Sequence, residues 1–281
     1  MKKAITILVL GLLFYQPISS ASTFNSVTWL YKEIITSKDP TTFQKLVYEG
    51  EQKVNMFVNI SKKFGGKDLR LKKLKAYVFT VYYEDNSPIT IQATPKFKSK
   101  EKAEEQALKY GKIIGQLPTF LKKGIKTIHL NKSDTQWMSR ENLIMVHAGH
   151  AATRGTGLEF HEEVMLHEAG HASISNAYFD WNDCDCVIKD KGKKFYGGKF
   201  LKKLVPEKWK SAVKADNKFV SKYAKAIEAE DFAESIFAWI MARYKKDRIS
   251  EANYNKIIES IPNRLKYFDE QNYDVYPLVS K

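Results

Sequence analysis

Five consecutive residues, His167-Glu168-Ala169-Gly170-His171, concentrate more chemistry than any other stretch of this chain. On a helix, positions i and i+4 share a face, so His167 and His171 can close on one metal ion. Glu168 falls beside such an ion rather than on it, where a carboxylate can take a proton from an activated water. Val164, Met165, Leu166, Ala169 and Ala172 give the surrounding helix a largely apolar surface, so it is expected to be partly buried. Gly170 costs such a helix about 1 kcal/mol against alanine. Close approach of another backbone, of substrate, or a crowded packing contact would each account for it.

Two histidines do not complete a catalytic zinc site, which takes three protein ligands and keeps one position open. A metzincin would place glycine and a third histidine at positions that here hold Ile174 and Ala177, so that class is excluded. The other common donor is a glutamate on a second helix. Residues 218–246 contain neither Pro nor Gly, which predicts one long helix. Within it Glu230 and Glu234 share a face, and Tyr223 lies two turns before Glu230 on that face. A carboxylate buried there needs a partner. Spacing alone leaves open whether that partner is a metal or one of the many lysines.

HEAGH, followed some fifty residues later by Tyr223 and the run EAEDFAES, resembles the gluzincin-type zinc peptidases, among them the catalytic domain of anthrax lethal factor and the secreted Pro-Pro endopeptidases. The resemblance covers roughly residues 120–245. It implies one Zn2+ held by His167, His171 and Glu230, with Glu168 as general base. It further implies that Tyr223 stabilises the tetrahedral intermediate and that Glu234 orients a ligating histidine from the second layer. The fold it implies is α+β and zincin-like: a small mixed sheet, an active-site helix and a second, glutamate-bearing helix. The substrate would be a protein or peptide. The loops that set proline specificity in the Pro-Pro enzymes have no counterpart here, so that preference is not carried over. Two other readings compete: a catalytically inactive zincin-fold binding protein, and a cationic surface-associated protein with structural zinc.

The remaining chain sets the context. Lys2 and Lys3, an apolar run from Ala4 to Phe14 and the small residues Ser19-Ser20-Ala21 read as a secretory signal peptide over 1–21, predicting a secreted protein with no membrane span after its removal. Residues 22–95 read as an N-terminal α/β region of unknown role and 96–281 as the catalytic domain. Export permits a disulfide between Cys184 and Cys186, but a bridge across one residue would be strained. The net charge of +14 comes mostly from lysine, with six Arg. That suits an anionic surface or plain solvation better than nucleic acid, for which no motif is present.

Residues 24–62 read as helical in two pieces broken near Asp39-Pro40. Strands are expected at 76–83, 89–93, 125–130 and 143–147, and helices at 100–114, 206–214 and 251–261, the last stopped by Pro262. The resemblance to gluzincins further implies that the strand at 142–146, just before the HEAGH helix, runs along the cleft as an edge to which substrate can add. His147, His150 and His161 are further ligand candidates on residue type, more simply read as surface or hydrogen-bonded histidines.

Overall fold

The computed structural model describes residues 34–59, 69–133, 137–140, 142–149, 158–175, 206–221, 223–225 and 228–279. The expected signal peptide at 1–21, His150 and the Cys184/Cys186 pair lie outside these residues. In chain order the elements are β1 (Phe43–Asn59), β2 (Leu69–Tyr83), β3 (Pro88–Ala93), α1 (Lys100–Gly115), α2 (Thr119–Lys122), β4 (Thr127–Asn131), β5 (Met138–Arg140) and β6 (Leu143–His147). There follow α3 (Leu158–Ser175), α4 (Glu207–Asp216), α5 (Glu228–Tyr244), α6 (Glu251–Ser260) and α7 (Pro262–Asp269). The fold is α+β, with a six-stranded mixed sheet in the order β1-β2-β3-β4-β6-β5. β1 through β3 pair antiparallel, β3-β4 and β4-β6 pair parallel, and β5 returns antiparallel to β6. Residues on both sides of position 95 therefore build one sheet.

Alternation decides which face of the sheet each residue serves. Ile91, Ile128, Ile144 and Val146 lie in the main core, packed with Ala107, Tyr110 and Ile114 of α1 and Met165 and Leu166 of α3. Leu143 and Met145, out of phase with Ile144, join Met138 and Phe57 in a separate cluster. Phe57 belongs to β1, at the opposite end of the strand order, so the sheet must curl for the two to meet. Register shifts between Phe43 and Lys45 and between Tyr48 and Gly50, with Gly50 at φ 95°, supply bends of the kind a β-bulge makes. β4 then clasps the far end of β1: the Phe57 N–H donates to His129 Nδ1 at 3.0 Å, and Asn131 Nδ2 donates to the Phe57 carbonyl at 3.2 Å.

Several expectations are corrected. Residues 43–59 form a strand, not a helix: the run alternates well enough to pair with β2, and pairing over fifteen positions outweighs the local helix preference of its Lys, Glu and Gln. The strand before the HEAGH helix is not an edge, because β6 pairs with β4 on one side and β5 on the other; the edge is β5. The helix expected over 218–246 runs only from Glu228 to Tyr244. Pro262 does stop α6, but it also opens α7, where its missing N–H costs nothing.

Candidate metal centre

The HEAGH helix α3 is buried from His161 through Gly170, and it packs against α5, α2 and the edge strand β5. The contact with α5 explains Gly170. A Cβ there would lie 3.3 Å from the Ala233 Cα and 3.3 Å from Ile236 Cδ1. A larger residue would push apart the two helices that carry the site. α5 in turn buries every residue from Ala229 to Ala242, so Glu230 and Glu234 reach the interior, one turn apart on a shared face.

This packing brings three donor atoms together. His167 Nε2 lies 3.0 Å from Glu230 Oε2, His171 Nε2 lies 3.1 Å from the same oxygen, and the two ring nitrogens are 3.1 Å apart. Among the described residues, His167, His171 and Glu230 are the group that can hold a metal ion. The fit is direct: ligands at about 2.0 Å in tetrahedral array stand roughly 3.3 Å from one another. The observed triangle is a few tenths of an ångström tighter.

The electrostatics agree with a cation between these groups. Burial alone pushes the His167 imidazole toward neutrality, but Glu230 and Glu234 outweigh it and hold its pKa well above the usual range. Burial likewise opposes ionisation of Glu230, yet the two histidines keep its carboxyl below the usual carboxylate range. The carboxylates thus demand positive charge at this point, which protons supply here and a metal ion can supply instead.

Outer groups hold the donors. Glu234, with no exposed surface, sets Oε1 3.1 Å from His167 Nδ1, in contact though out of line for a full hydrogen bond. Its other oxygen accepts from Ser221 Oγ at 3.1 Å, and Ser221 Oγ accepts from the Ala224 N–H at 2.8 Å. Ser221 therefore ties the carboxylate behind His167 to the turn at 223–225. Tyr223 occupies that turn rather than a helical face, and still stacks its ring 5.8 Å from the His167 ring, tilted by 30°. Phe237 lies at 6.0 Å from the same ring. Glu168 follows His167 on α3 and retains 7% of its surface exposed.

Of the other histidine candidates, the two described, His147 and His161, do not join this cluster. His147 sets Nδ1 2.6 Å from Ser133 Oγ, and His161 sets Nδ1 3.0 Å from the Tyr110 hydroxyl, its ring stacked on that tyrosine. Ser221 and Phe237 were not legible as site residues. Positions 221 and 234 would stand about 220° apart around a continuous helix. Only the break before Glu228 lets them meet. No protein-family model, curated protein or solved structure matches the chain.

Proposed function

We propose that this chain is an exported zinc-dependent endopeptidase. The observation that carries the reading is the triangle of His167, His171 and Glu230, backed by Glu234 and adjoined by Glu168 and Tyr223. Two imidazoles and one carboxylate are a donor set suited to zinc, with a position left over for solvent or substrate. When bound, the ion supplies Lewis acidity that brings a water's pKa to about 7.

The chain's own residues do the rest. Glu168 accepts the proton from that water and returns it to the departing amine. Tyr223 donates its hydroxyl to the carbonyl oxygen as charge gathers there. Glu234 fixes the tautomer and aim of the His167 ring. The edge strand β5 packs on α3 and pairs on one side only among the described residues, so it offers backbone groups along which an extended peptide can lie.

The test is cleavage of a mixed peptide library by the zinc-loaded chain. Cleavage is expected to stop with a chelator and to return when zinc is restored. Glu168→Gln is expected to keep its zinc and lose cleavage by a factor of 100 or more, on the order of what a general base contributes. Undiminished cleavage by the Gln variant would overturn the assignment.

A further inference from the structure

Somewhat under half of the chain's net positive charge lies in one stretch of its sequence. Between Glu51 and Ala76 the sequence carries eight Lys or Arg against two acids, a net +6 of the chain's +14. The described residues of this stretch, 51–59 and 69–76, are the outer part of the β1-β2 hairpin. β2 pairs with β3 only from Tyr77 to Tyr82, so beyond Tyr77 the hairpin continues as a two-stranded arm. On it Lys53, Lys72 and Lys73 are exposed; Leu71, on the same face as Lys53 and Lys73 and opposite to that of Lys72, is 51% exposed, the most exposed large apolar side chain of the described residues. The register sets Lys53 directly opposite Lys75, a like-charge pairing that costs the hairpin stability. Glu51 answers Lys75 at 2.6 Å and leaves the other lysines uncompensated by any described acid of the arm. Cations and apolar residues interleave through Leu69-Arg70-Leu71-Lys72-Lys73-Leu74-Lys75.

We infer that this arm docks the protein on an anionic lipid bilayer. A surface built only for solvation gains nothing from facing lysines across a ladder or from an exposed leucine on the same face. An anionic bilayer relieves the first and accepts the second: headgroups neutralise the lysines while Leu71 enters the apolar boundary. A nucleic acid fits less well, since the arm has a single Arg and its described tip lacks a row of stacking aromatics. The arm is held near its far end, where His129 and Asn131 clamp Phe57 opposite Leu71, so it presents the lysines in fixed register. This surface is separate from the metal centre and does not depend on the reaction assigned there.

The experiment is co-sedimentation of the chain with vesicles of phosphatidylcholine alone and of equal parts phosphatidylcholine and phosphatidylglycerol. Binding is expected to the second and to fall steeply with salt. Replacing Lys53, Lys72 and Lys73 together by Gln is expected to weaken it on the order of a hundredfold. Replacing Lys208, Lys214 and Lys266 by Gln, an equal loss of charge on α4 and α7, is expected to leave it within about threefold. Leu71→Ser is expected to weaken binding without changing its salt dependence. Equal losses in the two lysine sets, or no preference for the anionic vesicles, would overturn the inference. So would binding to soluble polyphosphate as tight as to the vesicles and indifferent to Leu71→Ser.

Discussion

At the scale of single residues, the two glutamates of α5 divide their labour by position. Glu230 Oε2 is shared by both histidines, whereas Glu234 sets Oε1 against the far nitrogen of His167. Zinc titration against a competing chelator is expected to rank the variants accordingly. Glu230→Ala loses a ligand and should bind zinc most weakly, and Glu234→Ala should lose about 10–100-fold, as outer-layer changes do. Ser221→Ala should fall between Glu234→Ala and the parent, because it frees one oxygen of Glu234 but leaves the carboxylate in place. Equal affinity in the Glu230 and Glu234 variants would show that the wrong carboxylate has been assigned to the metal. The i, i+4 spacing made this pairing legible, since His167/His171 and Glu230/Glu234 are local relations that survive in any helix. Tyr223 reaches the site for a different reason from its helical spacing: it rides a turn. Ser221 was invisible because its partners are distant and non-helical.

At the scale of elements, the site depends on how α5 is held as much as on what it carries. Arg264 of α7 has no exposed surface; it donates to Asp216 at the end of α4, to Asp231 in the first turn of α5 and to the Lys218 carbonyl. One buried guanidinium thus joins three segments around the start of the helix that bears Glu230. Arg264→Met would leave two buried carboxylates without their counter-ion, and a broken buried pair costs about 3–5 kcal/mol. Urea unfolding is expected to show a lowered midpoint with an unchanged slope. A loss below about 1 kcal/mol would place the weight of this junction in its aromatic packing, where Trp209 meets Phe232 and Phe268 at 4.9 and 5.0 Å, and not in the ion pairs. The sequence revealed most helices and the central strands because their apolar periods are local. It misread β1, whose Lys, Glu and Gln suit a helix. It also did not reveal β5, which is three residues long and owes its existence to β6.

At the scale of the whole molecule, the clasp between β4 and β1 closes the curled sheet, and it is sensitive to acid. His129 accepts the Phe57 N–H through Nδ1, so the ring must be neutral at that nitrogen. Burial disfavours the imidazolium and lowers the pKa of His129 from 6.5 to about 4. The unfolded chain therefore takes up this proton near pH 6.5, while the folded chain refuses it until about pH 4. The contribution of neutral His129 is intact above the unfolded value and is lost progressively as pH falls from 6.5 through 4. The shift corresponds to about 3 kcal/mol at most. Unfolding free energy measured between about pH 7 and about pH 4.5 should fall by roughly that order in the parent. His129→Gln, whose amide oxygen can accept the same N–H without titrating, should start less stable and lose less over the interval. An identical decline in the two proteins would mean that other groups set the acid response. Because the clasp holds Phe57 near the far end of the cationic arm, opening it should also free the arm from its fixed register. Amide exchange at Phe57 and its neighbours, corrected for intrinsic rates, should therefore accelerate toward acid ahead of exchange in the α1 and α3 core.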